Sequence, residues 1–561
     1  MVYASQFDLP ADPKTDITVA APTSRNNLLV IALFALVLVW TFVRFWSHPE
    51  AIFDSRFLVH DLANQLHLND ELLEGKRLYS EVFSQYGPAS AYLSAVVALL
   101  FGNTARSFMF LQSFLAIVAL AQVYVLLQRR LQPWKAVVFT AFAVLPWIPS
   151  PAGGPGAYLQ PYGGFERIIL LSIALAWRPL TQRTIWRNVC LGLLLGSLQW
   201  IKFGSAFIAG GALFFADLIL LVHRGELRRA GWKNIAAANC GVLAGFLIGE
   251  CALWIYAALT QPAVIARDVL WPAYMINNYA GYVTWNTRFL DWENVGYFIG
   301  AQLPLVAAIV SFAFLLGRLL GRRSRNEAAT TEPVKLSECG AFVFLSLFWV
   351  VGLSGYLAHV WLAMGYAWLL MVGAAPMVGR LRPVLILIAF AAWAPCFLLT
   401  ARGIAPSRTA TDLKPVPFQN GETLWLDGAW QERLPILSRF LAEQCGAPPH
   451  STKAVMGIVT GAGIAHYLGY SVSTRHSWFM PGFVRPYDED AVRASLLQTG
   501  ALIVFLKAPV PEPLPPNANR WTMGRIFSDA LAAEIPQHFR DPVRVDATCW
   551  VLPTHDLSSQ R

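Results

Sequence analysis

The residues in this chain best suited to chemistry are a few carboxylates and one cation set among long apolar stretches. Asp61 closes the run Phe53-Asp54-Ser-Arg-Phe-Leu-Val-His60-Asp61 and is followed by Leu62, Leu66, Leu72 and Leu73. That spacing predicts a helix that begins at or just after Asp61. A carboxylate there serves either as a helix cap accepting a backbone N–H or as a general base for an attacking hydroxyl. Asp54 competes for the second role, with His60 beside it. Glu166 and Arg167 follow Gln160-Pro-Tyr-Gly-Gly-Phe165 and are expected to open another helix, where an acid also suits the helix dipole. Lys202 ends the run Gly192-Leu-Leu-Leu-Gly196-Ser-Leu-Gln-Trp-Ile-Lys202 as a lone cation flanked by apolar residues. Charges in such surroundings are costly and usually functional. An ammonium neutralises a lipid phosphate as a point charge, and snorkelling at a helix end is the structural alternative.

The elements that must carry these groups are membrane spans. Of the 561 residues, 56% are hydrophobic and 14% charged, where soluble proteins sit nearer a quarter charged. The apolar residues fall in blocks of about 17–25, the length that crosses a bilayer as helix. Candidate spans are residues 26–46, 105–127, 134–150, 166–177, 188–202, 204–222, 235–260, 295–316, 339–357, 360–378 and 383–400. The net charge of +9 reflects Lys and Arg gathered in short loops, at 129–135, 178–187, 224–233, 318–335 and 380–382. This is the positive-inside bias, and it excludes a nucleic-acid surface, since no interleaved basic and aromatic patch accompanies it. All these loops share one side only if the short apolar block 88–102 lies along the interface without crossing. The fold class expected is therefore a polytopic α-helical membrane protein of about eleven spans, N-terminus inside and C-terminus outside. Residues 1–25 read as a cytoplasmic tail, because they are polar and lack the cationic start and short apolar core of a signal peptide.

Outside the membrane this places the loops 47–104, 151–165 and 261–292 and the tail 401–561. The tail has Pro and Gly punctuation, β-like runs at 454–459 and 501–506, and helix-like runs at 431–443 and 488–498. Alternating strands and helices predict a small extracytoplasmic α/β domain. Cys190, Cys240, Cys251, Cys339 and Cys396 lie in apolar blocks and read as packing residues. Cys445 and Cys549 fall in the outer tail, where a disulfide between them is permitted but not fixed by spacing. There is no Walker loop, no His-Glu-x-x-His and no CxxC.

An acid soon after the first span, a helix ending at Gly75, the turn Tyr86-Gly87-Pro88 and an interfacial helix ending Leu-Phe-Gly102 together resemble the GT-C superfamily. Its members are polytopic glycosyltransferases using polyprenyl-phosphate sugars, such as protein O-mannosyltransferases and the bacterial aminoarabinose transferase of lipid A. The resemblance covers roughly residues 28–400 in architecture. It implies that Asp61 is the catalytic base and that Glu166 is a second catalytic acid near it, which orients the acceptor or holds a metal. It also implies that Lys202, at the outer end of a Gly-rich helix, binds the donor phosphate with Arg167 nearby. In Gly355-Tyr-Leu-Ala-His359, followed by aromatics up to Tyr366, it implies a donor contact at His359, which a satisfied structural histidine also explains. Tyr86 is a secondary candidate with Asp54 and His60. The family often shows two adjacent acids where this chain has His60-Asp61. No metal ligand set and no cofactor are expected, and a divalent metal stays open.

The expected function is inverting transfer of a sugar from a polyprenyl-phosphate donor to an acceptor hydroxyl of a glycan, lipid or protein at the outer face of the bacterial inner membrane. Membrane lipids are the surroundings, and nucleic acid is not a partner. A transporter or lipid flippase also accounts for the spans, but it predicts internal repeats that the sequence lacks. A scaffold of envelope assembly is a third reading and needs no acids.

Overall fold

A computed structural model describes, with short gaps, residues 28–39, 53–144, 161–217, 226–260, 413–442 and 455–475. It also describes the short strands at 502–505, 543–544 and 550–552. The expected spans between 295 and 400, with His359, Asp54 and His60, lie outside the described residues, as do Cys339, Cys396, Cys445 and Cys549.

The first long loop, between the first two expected spans, folds as the spacing predicts. A short helix α1 (Arg56–Val59) leads into α2 (Asp61–Leu73). The end of α2 is set by Gly75, whose φ of +90° belongs to the left-handed region. There Gly75 N–H donates to Leu72 O (3.1 Å) and Lys76 N–H to Glu71 O (3.0 Å), the paired bonds of a Schellman stop. Helix α3 (Pro88–Phe101) has proline in its first turn and ends at Gly102, φ +85°. Its 14 residues span about 21 Å, short of a bilayer core. Thr104 caps the next helix, its hydroxyl oxygen accepting Ser107 N–H at 3.1 Å.

Helices α4 (Ala105–Gln128), α5 (Pro133–Val144), α6 (Pro161–Ala176), α7 (Ile185–Ile201) and α8 (Glu226–Thr260) follow. The stretches Ala105–Gln128 and Trp232–Thr260 are long and apolar enough to cross a membrane. On α8 the side chains of Leu243, Leu247, Ile248, Trp254, Ile255 and Leu259 are exposed. A continuous apolar face of this kind is unfavourable in water and suited to lipid, so the described helices fit a polytopic membrane protein. Some expected boundaries move. Helix α6 begins five residues before Glu166, and α8 extends back through Arg228, Arg229 and Lys233, which the charge pattern assigned to a loop. Cys190, Cys240 and Cys251 are exposed on their helices, which corrects their reading as packing residues: as small apolar side chains they suit a lipid-facing surface as well as a core.

Helices α7 and α8 are held by glycine. A Cβ on Gly192 would stand 2.0 Å from Val242 O, one on Gly245 2.1 Å from Val189 O, and one on Gly196 2.9 Å from Gly249 Cα. Small residues every fourth position let two backbones approach in this way. Gly192→Ala is expected to destabilise the protein by about 1–3 kcal/mol, read as earlier thermal unfolding in detergent. Gly163→Ala, which meets nothing within 4 Å, is the neutral control.

In the C-terminal part, β1 (Lys414–Pro417) and β2 (Thr423–Leu426) form an antiparallel hairpin pairing Lys414 with Leu426. Helix α9 (Gly428–Arg439) follows, and α10 (Ala462–Leu468) comes after β3 (Val455–Ile458). Strand β3 pairs parallel with β4 (Leu502–Phe505), inside two of the β-like runs, and β4 and β5 (Val543–Arg544) flank β6 (Trp550–Leu552) antiparallel. The core of this part is continuous with that of the first long loop. Phe57, Leu58, Leu62, Leu66, Phe108 and Met109 are buried in one cluster with Leu424, Leu426, Trp430, Leu437, Ile464 and Tyr467.

Candidate functional site

The site is built where the first long loop, α6 and the end of α7 meet. Helix α7 starts at Thr184, whose hydroxyl oxygen accepts Arg187 N–H. It ends at Lys202, the C-cap, which leaves helical geometry at φ −149° while its N–H still donates to Leu198 O at 2.8 Å. The Lys202 side chain is thereby presented at a helix end, as the sequence led one to expect. Its Nζ lies 3.9 Å from Glu166 Oε2. Glu166 is 1% exposed, in the second turn of α6. That position is secured by Gly164, where a Cβ would meet Leu115 Cδ1 of α4 at 2.7 Å. Further along the same pair of helices, Gln122 Nε2 donates to Ser172 Oγ (2.8 Å) and Ile168 O (3.1 Å). Arg167 is buried too, so it does not reach out from the helix as a snorkelling side chain would.

Ser205, which sequence reasoning did not single out, donates from Oγ to Glu166 Oε1 at 2.5 Å. It is buried, and its N–H donates to Lys202 O at 3.3 Å. The only signal in the sequence is its place three residues after Lys202. Glu166 Oε2 and Gln112 Nε2 are buried without a hydrogen-bond partner among the described residues. Buried polar atoms of this kind call for an explanation, and a ligand is one.

The Tyr86-Gly87-Pro88 turn abuts the same helix end. Gly87 N–H donates to Ile201 O at 2.9 Å, and a Cβ on Gly87 would stand 2.2 Å from Trp200 O. Only glycine allows this approach. Tyr86 contributes through its backbone: its carbonyl accepts from Tyr79 Oη at 2.6 Å. Tyr79 is fully buried and holds φ +70°, a conformation that bulky residues rarely adopt and that persists only where the surroundings impose it. The structure thus brings Tyr86, Gly87, Glu166, Arg167 and Lys202 to neighbouring elements. Asp61 stands at the first position of α2, and only its backbone lies among the described residues.

The C-terminal part is seated on this loop. His466 Nδ1 and Asp70 Oδ2 are 2.5 Å apart. Phe83 N–H donates to Arg475 O at 2.8 Å, and the Arg475 guanidinium lies 5.5 Å over the Phe83 ring. Glu422 accepts from Tyr467 Oη (2.8 Å) and Arg106 N–H (3.2 Å). Burial pushes the Glu422 carboxyl above its ordinary range, while burial and then the Glu422 charge push Tyr467 up. Burial lowers His67 to about 4, so that imidazole is neutral at physiological pH.

Asn69 and Asp70 share Asn103, which donates to Asp70 Oδ1 at 2.6 Å. Among the described residues no group of three His, Cys, Asp or Glu gathers as a metal site. Away from the site, Arg183 pairs with Asp217, which also accepts from Trp177 Nε1 at 3.2 Å. Glu250 is a buried acid on α8 that sequence reasoning missed.

No protein-family model and no curated protein matches the chain. Among solved structures it is similar to ArnT from Cupriavidus metallidurans bound to undecaprenyl phosphate, with a TM-score of 0.47 and 13% identity over 94% of this chain and 98% of that one. The apo form of the same ArnT gives 0.48 and 15% over the same shares.

Proposed function

We propose that this chain is a bacterial inner-membrane glycosyltransferase that moves a hexosyl or pentosyl group from a polyprenyl phosphate to an acceptor hydroxyl at the outer face. The observation that carries the reading is the Lys202 ammonium, 3.9 Å from a buried carboxylate at the end of an apolar helix. A cation held there suits a lipid whose tail lies in the bilayer and whose phosphate lies at its surface.

In this reading residues 1–25 are cytoplasmic. Residues 26–400 form about eleven spans, and 401–561 form an extracytoplasmic α/β domain over the first outer loop. The donor phosphate rests at Lys202, with Arg167 close by on α6, and His359 is a further donor contact. Glu166 holds the ammonium in place. The Asp61 carboxylate takes the proton of the acceptor hydroxyl, and the freed oxygen attacks the anomeric carbon from the face opposite the phosphate. A C–O bond forms, the anomeric C–O bond to phosphate breaks with inversion, and polyprenyl phosphate leaves with the electron pair. Lys202 offsets the charge that develops on it. Holding both reactants at one surface supplies the orientation effect. The acceptor is a hydroxyl of an envelope glycan, lipid or protein.

Native mass spectrometry of the protein in nanodiscs tests the reading. Retained polyprenyl phosphate is expected in the wild type, with affinity about ten- to a hundredfold weaker in Lys202→Ala, the worth of a charge-assisted contact. Equal weakening of donor and acceptor binding in that variant would argue against a phosphate contact.

A further inference from the structure

One peptide group ties the first long loop to the end of α7. The carbonyl of Tyr86 and the N–H of Gly87 belong to the same planar unit. On one side the carbonyl accepts from Tyr79 Oη at 2.6 Å. On the other the N–H donates to Ile201 O at 2.9 Å. Ile201 is the last residue of α7, and its carbonyl is among those at a helix C-terminus that find no donor within the helix. The loop therefore supplies a cap for α7, one residue before Lys202. Because the peptide is flat and stiff, whatever turns its carbonyl also turns its N–H.

Tyr79 is the group that sets this direction. Its side chain is fully buried in a cluster with Leu68, Leu78, Val82, Ala91 and Ala257, which holds the ring in place. Burial pushes the phenol well above its ordinary value, so the oxygen keeps the proton it donates. Its N–H donates to Val82 O at 2.6 Å and closes the turn. The backbone at φ +70° is strained for a tyrosine. Packing alone is served by ordinary backbone geometry, so the strain points to a placement that matters. Ser84 Oγ lies 3.5 Å from the same Tyr86 oxygen, too far to take over from the tyrosine.

We propose that Tyr79 is a positioning residue that acts through the Tyr86–Gly87 peptide on the end of α7, and so sets where Lys202 stands. The inference rests on reading Lys202 as a contact to the donor phosphate. Without the Tyr79 hydroxyl the peptide is free to turn and Gly87 N–H leaves Ile201 O. The last turn of α7 then loosens, with Lys202 behind it.

The test measures the affinity of the full chain in nanodiscs for a polyprenyl phosphate and for the uncharged polyprenol of the same length. Tyr79→Phe keeps the ring and removes only the hydroxyl. It is expected to weaken the phosphate lipid about three- to tenfold, the worth of one hydrogen bond, and to leave polyprenol unchanged. Amide hydrogen exchange is expected to rise over residues 198–202 in the same variant. In a Lys202→Ala background, Tyr79→Phe is expected to have no further effect on the phosphate lipid, since the cycle removes the group through which it acts. Gly87→Ala, whose Cβ would stand 2.2 Å from Trp200 O, breaks the same contact from the other side and replaces Tyr79→Phe if the latter does not assemble. An unchanged phosphate preference in Tyr79→Phe overturns the inference alone, even where the variant melts earlier, because a hydroxyl serving only the fold moves melting and not preference. So does an equal loss for both lipids, a loss that persists with Lys202→Ala, or exchange over 198–202 that matches the wild type. A wild type that does not prefer the phosphate over polyprenol overturns the reading of the site, and the inference with it.

Discussion

Asp61→Asn is expected to lower sugar-transfer turnover by about 10²–10⁴-fold, the usual contribution of a positioned general base. Membrane insertion and donor retention should stay as in the wild type. The substitution separates the two roles that a carboxylate can have at the start of α2, where Asp61 stands. Asn caps a helix about as well as Asp, so a residue that served only the helix would be replaced without loss. Asn has no basic oxygen of comparable strength, so a residue that takes the acceptor proton would not. Turnover in vesicles, measured beside retention of polyprenyl phosphate, distinguishes the cases. Near-normal turnover would remove Asp61 from the mechanism. Lost retention would point to the fold of the loop.

Gly463→Leu should unseat the C-terminal part from the first long loop. A Cβ at 463 would stand 2.3 Å from Phe57 O, 2.4 Å from Ala63 Cβ and 2.6 Å from Leu58 O. Two of these atoms are backbone, in helix α1, and cannot swing aside as a flexible side-chain end does. The cost should exceed the ~1–3 kcal/mol of ordinary overpacking, because separating the surfaces also exposes Leu62, Leu66, Leu424, Leu437 and Ile464, all buried in the shared cluster. Limited proteolysis is the readout: rapid cleavage within 413–475 in Gly463→Leu, with slower cleavage in Gly463→Ala. Equal resistance of Gly463→Leu and the wild type would show that the two parts do not depend on this contact.

The parts of this fold that were legible beforehand are those written in local spacing. The helix from Asp61 to a stop at Gly75, the short helix ending at Gly102 and the apolar stretch from Ala105 each follow from leucine periodicity, a left-handed glycine or a run of apolar residues. The strands at 455–458 and 502–505 were visible as short β-branched and apolar runs. Glycine misled at 163 and 164. It reads as a loop signal, yet both residues are helical, and at 164 its value lies in the missing Cβ beside Leu115.

Charge counting placed Arg183 in a solvated inner loop, whereas its side chain is buried against Asp217. The rule registers sign and side but not burial. Within the site, Lys202 was legible because a lone cation stands out in apolar sequence. Its relation to Glu166 and Ser205 was not, since periodicity within one helix carries no information about which residue of another helix it meets. The same holds for Asp70 and His466.

That last pairing has a consequence for how the protein is made. The two residues are 396 positions apart. At synthesis rates of roughly 5–20 residues per second, the outer loop waits about 20–80 s between its own emergence and the arrival of the helix that completes its core. Throughout that interval Phe57, Leu58, Leu62 and Leu66 lack the C-terminal half of the cluster that buries them, and Phe83 lacks its tie to Arg475. A chain cut short by a stalled ribosome or a nonsense codon therefore carries an unfinished loop that chaperones and proteases can recognise. The helix that carries His466 thus acts as a completeness check on the helix that carries Asp70.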